Sequence, residues 1–115
     1  MSIAKNKVIA GYKKGDKIWT GGAFKNSLMV GTLASIHRET VSNYDIITED
    51  IVKSGSSAIL RGAMGAAALG PIGLLAGLSA KNKGVYTIAI EWRSGNRSLI
   101  EIDETLYKIF LQSVF

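Results

Sequence analysis

Few side chains in this chain could do chemistry, and their spacing decides what each is suited to. His37, Arg38 and Glu39 are consecutive, and His37 is the single histidine. On a strand, successive side chains alternate faces, so His37 and Glu39 would share one face and Arg38 the other. A histidine–carboxylate pair can move a proton. The same pair is also an ordinary ion pair on a strand surface. With one histidine and no cysteine, the chain is poor material for a metal centre, which needs several such ligands. Asp45, Glu49 and Asp50 lack the spacing of a calcium loop. The glycines between 62 and 77 match neither a phosphate loop nor a dinucleotide fingerprint. No serine lies in a nucleophile elbow. These residues point to a protein that is not an enzyme and takes no cofactor or metal.

Charge is more informative. Residues 1–25 hold six lysines (Lys5, Lys7, Lys13, Lys14, Lys17 and Lys25) against one acid, Asp16. Residues 26–115 hold eight basic and eight acidic side chains, so the whole net charge of +5 belongs to the N-terminal segment. Such a patch attracts phosphate, a nucleic-acid backbone or an acidic membrane surface. Lysines also guard strand edges against aggregation. Nucleic-acid recognition usually brings arginines and aromatics together. Here the basic segment has no arginine, with only Tyr12, Trp19 and Phe24 interleaved, so nucleic acid is disfavoured as a partner. Lys13, Lys14 and Lys17, near Tyr12 and Trp19, are the expected anion contacts. Arg93 and Arg97, at a turn, form a second candidate site. Lysine offers phosphate a point charge, and arginine offers two parallel hydrogen bonds. Trp19 and Trp92 have the area to stack on a base or to fill a core.

The elements that must position these groups follow from pattern. At 115 residues with 47% hydrophobic and 20% charged residues, one globular domain over 1–115 is expected. Residues 7–12 and 17–20 read as a hairpin, 27–37 as a strand carrying a bulge at Gly31, and 41–47 as another strand. Glu49 and Asp50 suit a turn or one helical turn. Residues 85–92 form the clearest strand, with Tyr86, Ile88, Ile90 and Trp92 on one face. Arg93-Ser94-Gly95-Asn96 is a turn, and 97–102 is the return strand. Asp103 suits the cap of a final helix, with Leu106, Ile109, Phe110 and Val114 at helical spacing.

Between these strands lies a segment of different character. Residues 62–80 carry no charge, and 11 of these 19 residues are Gly or Ala. Pro71 divides the segment, which predicts two short helices, 57–69 and 71–80, within an insertion over about 56–80. Nineteen uncharged residues just reach the length of a membrane span. The glycines and the proline weaken that reading, and no basic polar face supports a surface-lying helix. A helical hairpin is favoured, its leftover apolar surface covered by a second copy of the chain. Met64, Leu69, Ile72, Leu75 and Leu78 are the expected contacts of that homo-oligomer.

Taken together, Tyr44–Phe115 resembles small uncharacterised proteins of Gram-positive bacteria and their phages. The resemblance rests on Asp45-Ile46-Ile47, the Gly/Ala/Leu stretch ending Ala80-Lys81-Asn82-Lys83, the 86–102 hairpin and the final helix. The ending is also similar to bacterial pleckstrin-homology-like domains, in which a C-terminal helix closes an antiparallel barrel. The expected fold is therefore α+β: a mainly antiparallel sheet, as a pleckstrin-homology-like partial barrel, with an inserted helical hairpin and a C-terminal helix. The resemblance implies a non-catalytic binding protein in the cytoplasm of a bacterial host, holding an anionic small molecule or a host protein. Among phage proteins, it implies a counter-defence factor that sequesters a nucleotide signal. Alternatives are a peripheral membrane protein using 62–80 and an inhibitor acting through protein contacts. No signal peptide or lipidation cysteine is expected.

Overall fold

The hairpin with the cleanest alternation organises the fold. In the computed structural model, which describes residues 4–21, 27–32, 34–64 and 84–115, β1 (Lys7–Gly11), β5 (Val41–Ile46), β6 (Val85–Trp92) and β7 (Arg97–Asp103) form an antiparallel sheet ordered β1-β7-β6-β5. The β6–β7 ladder runs in unbroken register from Val85↔Asp103 to Glu91↔Arg97. A second antiparallel sheet, ordered β2-β3-β4, comprises β2 (Ile18–Trp19), β3 (Leu28–Val30) and β4 (Ala34–Ile36). A bridge between Lys7 and Lys17 ties the two sheets together. The class is α+β with mainly antiparallel sheets and a C-terminal helix, as the pattern predicts. The two described sheets are open and do not close into a barrel.

Period-two patterning explains why the larger sheet is covered on both faces. Ile88, Ile90, Trp92, Ile100 and Ile102 point into the main core, where they meet β2, β3 and β4. Ala89 and Leu99 point the other way. There they meet Val52 of α1 (Glu49–Ser54) and Ile59, Leu60 and Ala63 of α2 (Ala58–Met64). Strand β1 serves both layers. Its register slips between Val8 and Ala10, so Val8 lies in the main core and Ala10 in the second. Residues two apart share a face in a regular strand, and the extra residue of a bulge breaks that rule.

Helix α3 (Glu104–Val114) closes the main core. It begins where expected, with Asp103 Oδ1 accepting from the Leu106 N–H at 2.9 Å. Asp103 Oδ2 also accepts from Asn6 Nδ2 at 3.1 Å, tying the cap to the start of β1. Leu106 and Phe110 are buried, with Ile109 and Val114 packed beside them. Tyr44 meets Phe110 edge to face at 5.0 Å.

Three expectations are corrected. Residues 27–37 are not one bulged strand: Gly31, at φ +61°, turns the chain so that β3 and β4 pair as a hairpin. A left-handed conformation is one that glycine adopts without a side-chain penalty. Residues 49–54 form a complete short helix, capped by Thr48 Oγ1 accepting from the Ile51 N–H at 3.3 Å. Finally, His37 and Glu39 do not lie on a strand. Residues 37–40 form a turn in which the Thr40 and Val41 N–H groups both donate to the His37 carbonyl. Helix α2 falls inside the predicted insertion. Residues 65–83, with Leu69, Ile72, Leu75 and Leu78, lie outside the described residues, as does the Met64 side chain. No helix among the described residues is long and apolar enough to cross a membrane.

Candidate functional site

Three turns meet at one end of the sheets: 12–15 between β1 and β2, 37–40 between β4 and β5, and 93–96 between β6 and β7. Hydrogen bonds hold them together. The Arg93 N–H donates to the Thr40 carbonyl at 2.9 Å. The Arg93 guanidinium donates to the Arg38 carbonyl through Nε at 3.2 Å and Nη2 at 2.9 Å. Beneath the turns, Trp92 Nε1 donates to Ser98 Oγ at 2.7 Å, and Ser98 Oγ donates onward to the Tyr12 carbonyl at 2.7 Å. Tyr12 in turn meets Trp92 edge to face, with ring centroids 6.4 Å apart. This relay ties the Tyr12 backbone to the buried indole. Ser98→Ala should leave the buried indole N–H without a partner and destabilise the fold by about 1–3 kcal/mol. Urea unfolding followed by tryptophan fluorescence measures this, and an unchanged midpoint would contradict the relay.

A groove of about 400 Å³ opens among the turns. Its walls include Tyr12 and Lys13 from the first turn, Glu39 from the second, and Arg93 and Ser94 from the third, with Ser35 below. Lys13 Nζ lies 5.1 Å from the centroid of the Tyr12 ring, which is 43% exposed. Neither Lys13 nor Arg93 has a carboxylate within ion-pair distance among the described residues. Lys13 also holds a positive φ, +66°, a conformation that non-glycine residues keep only where the surroundings enforce it. Glu39 is the one acid among the described residues of the groove wall. Its backbone N–H donates to His37 Nδ1 at 3.2 Å, and its carboxylate stands 3.9 Å from the same nitrogen. His37 Nδ1 therefore acts as an acceptor, and the pair is not arranged to pass a proton between side chains.

The remaining site residues are placed elsewhere. Arg97 lines an adjoining hollow of about 530 Å³ with Tyr12, Gly11, Gly62 and Asn96. Its guanidinium is engaged by Glu91, at 3.1 Å through Nε and 3.0 Å through Nη2, so its charge is already compensated. Lys14 is exposed in the first turn. Lys17 is exposed opposite Lys7, away from the groove lining. Trp19 is half-buried and donates through Nε1 to the Gly31 carbonyl at 2.8 Å. Trp92 is 6% exposed. Both indoles are thus built into the fold. The structure joins Lys13 and Arg93, which the sequence assigns to separate sites. Sequence reasoning missed Ser35 of β4 and the turn residues Ser94 and Glu39 as wall residues, because no local signal tells which strands and turns converge.

Elsewhere the polar contacts are structural. Ser57 Oγ donates to Asp45 Oδ2 at 2.7 Å and accepts from the Leu60 N–H at 3.0 Å, capping α2. Glu49 bonds Lys53 at 2.9 Å on the exposed face of α1 and holds its ammonium above the usual lysine range. That interaction is complete below the unfolded lysine value and fades as pH rises through the raised one. No group of His, Asp and Glu that could hold a metal ion occurs among the described residues. In comparison with known proteins, the chain matches no family model, no curated protein and no solved structure.

Proposed function

We propose that the protein is a non-catalytic binding protein that holds an anionic ligand in the groove between the three turns. One observation carries this reading: Lys13 and Arg93 come from turns far apart in sequence, have no carboxylate partner among the described residues, and line one groove beside an exposed aromatic ring. Two positive groups on one concave wall raise the local concentration of anions. Arg93 is fixed by the Arg38 carbonyl, so little freedom is lost when a ligand binds it.

The rest of the reading follows the sequence. A pleckstrin-homology-like partial barrel accords with α3 packing against both sheets, and the inserted hairpin accords with the Gly/Ala-rich composition of residues 62–80. Self-association through the Gly/Ala-rich segment, a cytoplasmic setting and sequestration of a nucleotide signal accord with the composition and the resemblance. A protein ligand is the second reading. Tyr12, Ser94, Asn96 and Arg93 cluster on turns, and Tyr, Ser, Asn and Arg are the residue types that recognition loops favour.

Calorimetric titration with inorganic pyrophosphate tests the anion site. Lys13→Ala should weaken binding about tenfold, equivalent to about 1.4 kcal/mol, and reduce its salt dependence. Lys14→Ala, in the same turn but off the groove wall, should change it less than about twofold. Equal effects from the two variants would dismiss the groove as the site.

A further inference from the structure

We propose that the anion held in this groove is a guanine nucleotide, an inference that rests on the anion-binding reading above. A groove made for a bare phosphate gains nothing from a carboxylate on its wall, because like charges repel. Yet Glu39 lines the same groove as Lys13 and Arg93. Its side chain is 85% exposed and lies at 3.9 Å from a histidine nitrogen that already accepts a hydrogen bond. The carboxylate therefore remains available, and an ionised carboxylate only accepts hydrogen bonds. The ligand that satisfies this wall carries both an anionic group and N–H donors.

Among nucleobases, guanine fits best. Its N1–H and N2–H₂ are adjacent donors that match the two oxygens of one carboxylate, as the fork of an arginine does. Adenine sets one amino donor beside the N1 lone pair, which a carboxylate repels. Uracil has a single N–H between two carbonyls, and cytosine sets its amino group beside an acceptor. The exposed ring of Tyr12 offers a flat apolar surface for a purine, and any base can stack on such a ring. Lys13 Nζ rests over that ring, 5.1 Å from its centroid. A stacked purine turns the ammonium toward the phosphates. Ser35 and Ser94, whose hydroxyls both donate and accept, complete the wall.

The test is calorimetric titration of the full chain with GDP, ADP and inorganic pyrophosphate in magnesium-free buffer, for the native protein, Glu39→Gln and Lys13→Ala. The native protein should bind GDP about tenfold more tightly than ADP, the scale of losing one partly exposed donor–acceptor match. Glu39→Gln should abolish that preference while leaving pyrophosphate binding unchanged or stronger. Equal affinities for GDP and ADP in the native protein would overturn the proposal, as would a preference that survives Glu39→Gln. If none of the three probes binds, or if Lys13→Ala changes none of them, the anion-binding reading itself fails.

Discussion

Gly11→Ala is expected to destabilise the protein by about 3–5 kcal/mol and to spoil the groove at the same time. Gly11 ends β1 at φ +82°, immediately before Tyr12. A methyl group there would be driven into the Arg97 carbonyl oxygen and would stand 2.9 Å from the Ala63 carbonyl oxygen. Both obstacles are backbone, one in β7 and one in α2, so no side chain can rotate away. The Arg97 carbonyl is also the acceptor for the Tyr12 N–H at 2.9 Å. Relief of the clash therefore moves Tyr12 or lifts α2 from the sheet. Gly15→Ala separates conformational strain from collision. Gly15 is also left-handed, at φ +94°, but an added methyl group meets nothing within 4 Å, so a loss of about 1–2 kcal/mol is expected. Urea denaturation of the two variants compares them directly. If Gly11→Ala proved no worse than Gly15→Ala, the close approach of α2 to β1 and β7 would be refuted.

Phe110→Ala should cost about 3–5 kcal/mol through a cavity between the sheets and α3. Phe110 is fully buried and is the largest of the fully buried side chains. It takes the edge-to-face contact of Tyr44 at 5.0 Å and belongs to the core shared by both sheets. Its loss empties space bounded by several elements, which cannot collapse together without shifting strand registers. Phe110→Leu keeps most of the volume and should cost about 1–1.5 kcal/mol. For a domain near this size the alanine variant should melt roughly 10–20 °C lower. Scanning calorimetry reads this, and a drop no larger than that of Phe110→Leu would show that the site is not closely packed.

How much could be read in advance depended on how local each signal was. The β6–β7 hairpin and the Asp103 cap were legible because alternation, turn residues and capping act over a few neighbouring positions. The break at Gly31 was not. Leu28, Met29 and Val30 before it, and Ile36 after it, suit one strand as well as two, and the choice between a bulge and a turn lies in a backbone angle. Helix α1 is too short to show a helical period, so its markers were confined to its ends: Thr48, Glu49 and Asp50 at the start, Lys53 and Gly55 at the finish. The site divides in the same way. Its cations stood out by composition, whereas the meeting of Lys13 with Arg93 depends on β1 pairing with β7. That pairing joins distant parts of the chain, and no window of sequence contains both.

The same pairing has a consequence for how the chain is made. Asn6, at the start of β1, bonds Asp103, 97 residues further along. The strand that borders β7 is synthesised long before β7 exists. At a bacterial or eukaryotic elongation rate of about 5–20 residues per second, the wait is about 5–20 s. Throughout that interval Val8 and Ala10 lack the strand with which they pair in the finished protein. A ribosome-bound nascent chain halted before Arg97 should accordingly leave β1 open to protease, and release of β7 should close it.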